Sequence, residues 1–135
     1  MAKIKILIDT DIFIDYFNHG FLEEILENKE FRIYYSIVTK KELLAKQGLK
    51  DSEKRAILYT LKKHTIINIT PDIAVRYSDL VNEYPGIAKE DAMIAATALQ
   101  KKLPLLTRNC KHYRIIKGLV LFGSKGITDT IPPHH

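Results

Sequence analysis

The chain opens with a polar–apolar alternation from Lys3 that becomes an unbroken apolar run, Ile6-Leu7-Ile8, and stops at Asp9-Thr10-Asp11. A short apolar run closed by turn and cap formers predicts a buried strand. Helices are predicted over residues 12–17 and 21–28, separated by Asn18-His19-Gly20 with its helix-ending glycine. Residues 32–35, aromatic and β-branched, predict a second strand, and Ser36 caps a helix running to about Lys46, before Gly48. Asp51 or Ser52 caps the next helix, through Lys63. Residues 65–69 predict a third strand, and Thr70-Pro71 sets an N-cap before a proline at the first helical position. That helix ends before Pro85-Gly86, and another spans about 88–102, its alanines permitting close approach to a sheet. Residues 104–106 predict a fourth strand, 109–113 a short helical turn and 119–122 a fifth strand. Strands alternating with helices at this spacing give βαβ units. The expected fold is α/β in three layers, α/β/α, around a central parallel sheet of four to five strands. In such sheets polar sites gather at the carboxyl ends of the strands, here Asp9, Ser36 and Thr107-Arg108-Asn109.

At 135 residues, 46% hydrophobic and 27% charged, the chain has enough apolar surface for one core, and it carries no repeat or Gly/Ser linker. Residues 1–131 are read as a single domain, with 132–135, ending His134-His135, as a flexible end or tag remnant. No apolar stretch approaches the roughly 18 residues of a membrane span. Met1-Ala2-Lys3-Ile4-Lys5 carries no secretory pattern, so a cytoplasmic address is expected. A lone Cys110 makes no intrachain disulfide, in keeping with a reducing compartment. Twenty-one Lys and Arg against 16 Asp and Glu leave a net charge of +5, which suits an anionic partner without defining one.

Taken singly, the polar candidates have plain structural readings. Asp9 and Asp11 flank Thr10 where a helix needs a cap, and Asn109 stands at another such place. Glu42 lies on an amphipathic helix, whose charged residues usually face water. Asp91 falls in the first turn of a helix, where a carboxylate meets the positive end of the dipole. Together, in order and spacing, they form a pattern that covers nearly the whole chain: Ile8-Asp9-Thr10-Asp11; Ser36 with Thr39 and Glu42-Leu43; Asp91-Ala92-Met93-Ile94-Ala95-Ala96-Thr97-Ala98; and Leu106-Thr107-Arg108-Asn109.

This pattern resembles the PIN-domain proteins and, within them, the VapC-like toxins of bacterial and archaeal toxin–antitoxin pairs. The resemblance implies a metal-dependent endoribonuclease with a PIN-like fold, and carries the catalytic, metal-binding carboxylates over to Asp9, Glu42 and Asp91. Thr10, Asp11, Ser36, Thr107 and Asn109 are expected in support. It also implies a homodimer, a small DNA-binding antitoxin and transfer RNA as the target class. Where many relatives place a fourth acid this chain has Asn109, and His112 stands where a further Asp sometimes appears, which weakens a second metal position.

The chemistry agrees with that implication. Phosphodiester hydrolysis needs a nucleophilic water at an anionic centre, and Mg²⁺ or Mn²⁺ neutralises phosphate oxygens while lowering the water's pKa. Such hard cations take oxygen ligands, which carboxylates converging from distant segments supply. Zinc fits poorly with Cys110 and His112 as an isolated pair. Lys40, Lys41, Arg108, Lys111 and Arg114 are expected to hold flanking phosphates, with Tyr113 as a stacking face. Two rivals stand beside this reading. Asp9-Thr10-Asp11 superficially fits a haloacid-dehalogenase-like phosphatase with Asp9 as nucleophile, although Ile12-Phe13 follows and no acid pair appears near Thr107. A non-catalytic module gripping RNA or protein on the same scaffold is the other, supported by Asn109.

Overall fold

The computed structural model describes residues 2–123, so the expected 132–135 tail lies outside them. Four parallel strands, β1 (Ile4–Ile8), β2 (Phe31–Ser36), β3 (Thr65–Ile67) and β4 (Leu105–Leu106), form one sheet in the order β3-β2-β1-β4. Between and after them run helices α1 (Thr10–His19), α2 (Glu23–Leu26), α3 (Ile37–Leu44), α4 (Asp51–Lys62), α5 (Pro71–Glu83), α6 (Lys89–Lys101) and α7 (Cys110–Arg114).

Alternate residues of the central strand β1 point to opposite faces, so each face needs its own apolar cover. Ile6 and Ile8 join Ile12, Phe13, Ile25, Leu43, Ile57 and Leu61 on the side of α1 to α4. Leu7 joins Ile73, Leu80, Ile94, Ala95, Ala96 and Tyr113 on the side of α5 to α7. The layers are therefore α/β/α. Ala92, Ala95, Ala96 and Ala98 are all buried, and their small side chains let α6 lie close to its neighbours.

Local signals set most boundaries. Thr70 Oγ1 accepts from the Ile73 N–H at 3.3 Å, with Pro71 opening α5. Gly20 closes α1 in a left-handed conformation, φ 67°, returning its N–H to the Tyr16 carbonyl. Three expectations change. Residues 21–28 yield only the four-residue α2, because Leu22 takes a left-handed conformation, φ 56°. Helix α4 has Lys50 as its N-cap rather than Asp51 or Ser52, since the Glu53 carboxylate reaches back to accept the Lys50 N–H at 3.1 Å. The fifth strand reduces to a single parallel bridge, Leu105 with Leu121, because β4 offers only two residues to pair with.

The order β3-β2-β1-β4 places the switch in strand sequence between β1 and β4, where a crevice opens at the carboxyl ends of parallel strands. The Asp9 N–H donates to the Leu106 carbonyl at 3.0 Å, joining the two strand ends there.

Candidate active site

Asp9 follows β1 directly and is the N-cap of α1, so the strand sets its position and the helix sets its orientation. Its Oδ1 accepts the Thr10 N–H at 2.8 Å, and its Oδ2 accepts the Thr107 hydroxyl at 2.8 Å from beyond the end of β4. Asp9 and Thr107 are both buried. Burial raises the Asp9 pKa from 3.8 to about 6; the Thr107 and Thr10 hydrogen bonds pull it back, and the Asp91 charge pushes it further up.

Asp91 stands in the first turn of α6. Its Oδ1 accepts the Tyr113 hydroxyl at 3.2 Å, and its Oδ2 lies 3.8 Å from Nδ1 of the exposed His112. Glu42, on α3, reaches the same region through a hydroxyl pair: Thr10 Oγ1 stands 2.9 Å from Glu42 Oε1 and 2.9 Å from Thr39 Oγ1. A carboxylate only accepts, so the Thr10 proton serves Glu42 while Thr39 supplies the other bond. Desolvation first, then the charges of Glu90 and Asp91, raise the Glu42 pKa against the pull of Thr10. Asp9, Asp91 and Glu42 are thus tied into one electrostatic cluster.

Asp11 lies one step deeper in charge conflict. Its Oδ2 accepts the Arg108 N–H at 3.2 Å, while its Oδ1 is buried without a hydrogen-bond partner among the described residues. Burial, with the Asp9 charge next and Asp15 after it, carries its pKa from 3.8 to about 8.

The remaining candidates divide. Ser36 is buried and caps α3, accepting the Val38 N–H at 3.1 Å; its part is to aim the helix that carries Glu42. Asn109 is exposed, and its N–H donates to Thr107 Oγ1 at 3.0 Å; although it holds the N-cap position of α7, its side chain makes no capping bond. Lys111 lines the groove beside Asp91, while Lys40 and Lys41 lie on α3 and Arg114 is exposed on α7.

Two expectations about RNA contacts fail on burial. Arg108 turns inward: its guanidinium pairs with Asp15 at 3.0 Å, 13% and 2% exposed respectively, and lies 5.2 Å from the Phe21 ring centroid. Tyr113 is fully buried, so it offers no stacking face; its ring joins the core and its hydroxyl meets the acids. Sequence reasoning passed over that hydroxyl, the repelling charge of Glu90 near Glu42, and the bond between Thr39 and Thr10 that supports Glu42, although Thr39 itself stood in the pattern. Only Thr39 carried a signal, standing one helical turn before Glu42 on α3.

Two grooves flank the cluster. One of about 410 Å³ is lined largely by apolar residues, among them Ile14, Phe17, Leu43 and Ile57, with Glu42 on its wall. The other, about 510 Å³, is bounded by Tyr84, Ile87, Ala88, Asp91, Lys111 and His112. The cluster's donors are carboxylate oxygens with no thiolate among them, and burial pushes at least Asp9 and Asp11 toward protonation unless a cation compensates. That donor chemistry fits a hard divalent cation, although among the described residues no three acidic, imidazole or thiolate groups converge into a ready-made cage.

A three-layer fold with this carboxylate cluster at the strand ends is a PIN domain: residues 6–118 match that family, and the chain belongs to it. Its relatives include ribonuclease VapC1 of Methanocaldococcus jannaschii, 32% identical over 118 residues that cover 84% of this chain and 82% of that protein. Ribonuclease VapC19 of Mycobacterium tuberculosis is 33% identical over 125 residues, 84% of this chain and 95% of the relative. Among solved structures, a toxin–antitoxin complex from Klebsiella pneumoniae matches with a TM-score of 0.69 at 33% identity, over 90% of this chain and 99% of that chain. VapBC-1 from nontypeable Haemophilus influenzae, at 21% identity and a TM-score of 0.75 over 90% of this chain and 98% of that one, shares the fold. Membership of the PIN family displaces the phosphatase reading of Asp9-Thr10-Asp11.

Proposed function

We propose that the chain is a metal-dependent endoribonuclease acting as the toxin of a toxin–antitoxin pair in the cytoplasm, with transfer RNA as its target class. The observation that carries the reading is Asp9: a buried carboxylate at the carboxyl end of the central strand, clamped by Thr107 and Thr10 and carrying the electrostatic load of Asp91. A fold accepts that cost where the group does chemistry. The likeness to named ribonucleases over most of the chain supports it.

Asp9, Glu42 and Asp91 are the residues that would hold Mg²⁺ or Mn²⁺, which would supply charge neutralisation at the phosphate oxygens and activation of water near neutral pH. The chain's own residues do the rest. Thr107 and Thr10 fix the Asp9 carboxylate, Thr10 and Thr39 fix Glu42, and α7 fixes Asp91. Lys111, beside Asp91 in its groove, is placed to hold a flanking phosphate. Asn109, which neither carries charge nor contacts the three acids through any of its bonds described above, supports one principal metal position rather than two.

The partner is a small DNA-binding antitoxin, as the named toxin–antitoxin complexes suggest. The apolar groove of Ile14, Phe17, Leu43 and Ile57, with Glu42 on its wall, suits an amphipathic segment that carries an arginine toward the acids. A homodimer completes the proposed assembly.

The test incubates purified protein with transfer RNA in Mg²⁺, in Mn²⁺ and in EDTA, using wild type, Asp9→Asn, Glu42→Gln and Asp91→Asn. Cleavage is expected only with metal, and each substitution is expected to lower its rate about a hundredfold or more, the scale of losing one electrostatic stabiliser. Full activity in chelator refutes the metal reading; wild-type cleavage in both Asp9→Asn and Asp91→Asn refutes the site.

A further inference from the structure

Tyr113 sits in an unusual place for a phenol. Its ring is fully buried among the apolar residues of the α5–α7 side, yet its hydroxyl reaches the acid cluster, donating to Asp91 Oδ1 at 3.2 Å with the Asp9 charge nearby. The two carboxylates belong to different elements, the start of α1 and the first turn of α6, and no backbone bond joins them. They repel each other, so some group must hold them at a workable separation. The Tyr113 hydroxyl holds the Asp91 side of that gap: the residue comes from a third element, α7, its ring is locked by packing, and a locked ring leaves its hydroxyl little freedom to move.

We propose that Tyr113 is a positioning residue whose buried hydroxyl fixes the Asp91 carboxylate beside Asp9 in the arrangement that binds the divalent cation. The proposal rests on the metal-dependent reading above. It assigns the hydroxyl no contact with RNA, from which it is shielded by its own burial, and no proton transfer. Groups that hydrogen-bond to metal-ligating side chains typically contribute about 10–100-fold to metal affinity by orienting the ligands before the ion arrives. One phenol on one carboxylate belongs at the lower end of that range, because Asp91 also has His112 near it and Asp9 is held independently by Thr107 and Thr10.

Tyr113→Phe isolates the hydroxyl, since the ring and its packing remain. Mn²⁺ affinity is read from the spin-resonance signal of free Mn²⁺ at fixed pH, without RNA. The expected result is binding about tenfold weaker than wild type. A second readout separates binding from chemistry: at saturating Mn²⁺ the variant regains most of its kcat, with KM for RNA within about twofold of wild type, because a buried group does not touch substrate. Cys110→Ala controls for loosening of α7, as it removes the thiol lying 3.6 Å from the Thr107 carbonyl oxygen without touching Asp9 or Asp91. It is expected to leave Mn²⁺ affinity unchanged. Tyr113→Phe binding Mn²⁺ within twofold of wild type overturns the proposal, and so does an equal loss in Cys110→Ala. If wild type itself binds no Mn²⁺, the metal reading fails beneath it, which is a separate and recognisable outcome.

Discussion

Asp9→Asn in the absence of metal measures the cost that the site imposes on the fold. The Asp9 carboxyl is raised from 3.8 to about 6, chiefly by burial. The folded state therefore holds the proton more tightly than the unfolded chain does. Below about pH 4 both states are protonated and the fold bears no penalty; as pH rises the unfolded chain ionises first, and the penalty is fully present above about pH 6. At about 1.4 kcal/mol per pH unit, that displacement corresponds to about 3 kcal/mol of stability lost between pH 4 and pH 7. Asparagine has no proton to lose. It can still accept the Thr10 N–H, and the Thr107 hydroxyl can turn to accept from its amide. For a domain of this length about 1 kcal/mol moves the melting temperature by roughly 4 °C. The melting temperature of Asp9→Asn minus that of wild type, followed by circular dichroism in EDTA, is therefore expected to widen by roughly 10 °C in favour of the variant between pH 4 and pH 8. Relief of the neighbouring Asp11, whose pKa of about 8 owes part of its rise to Asp9, acts in the same direction. A gap that stays constant across that range would show that Asp9 bears no burial penalty, and the central observation behind the proposed site would fall with it.

Thr107→Val removes the hydroxyl that serves Asp9 while keeping the volume, and is expected to cost about 1–3 kcal/mol in urea unfolding, the scale of a hydrogen bond to a charged group. Its cleavage rate is expected to fall about tenfold or more; an unchanged rate would remove Thr107 from the site. Arg108→Ala is expected to destabilise the fold by about 3 kcal/mol or more by leaving the buried Asp15 carboxylate without its guanidinium, and to leave the salt dependence of RNA binding unaltered. A shallower salt slope with normal stability would restore Arg108 to the RNA-contacting face.

Much of this fold was legible because local and long-range signals agreed. Ile6-Leu7-Ile8 closed by Asp9 marks a strand buried on both faces, and the structure gives each of those residues an apolar partner layer. Thr70-Pro71 marks the start of α5 by its own chemistry, independent of what the helix packs against. Failures came where the answer depended on residues far away in the chain. Nothing near Arg108 says that Asp15, in α1, will draw its guanidinium inward. Likewise, an aromatic following Lys111-His112 gives no hint that its hydroxyl will meet Asp91, 22 positions earlier. Residues 119–122 have strand composition, but a strand needs an edge to pair with, and a two-residue β4 supplies only one bridge. The acids, with Thr10 and Thr107 beside them, were readable as a set because spacing and residue type survive in the sequence; which carboxylate each hydroxyl would serve, and the part of Tyr113, were not, because hydrogen-bond partnership has no local signature.

The clamp on Asp9 closes only when Thr107 arrives, about a hundred residues of synthesis after Asp9 itself. At ribosomal rates of roughly 5–20 residues per second, that is an interval on the order of five to twenty seconds. Throughout it the emerging chain lacks β4, and so lacks the edge against which the Asp9 backbone is fixed. A nascent chain, or one released early by a truncated message, therefore holds whichever of the three acids it has made without the framework that makes them a site. The fixed carboxylates of this ribonuclease fold thus appear only after β4 and α7 have been made, so the order of synthesis itself delays assembly of the site.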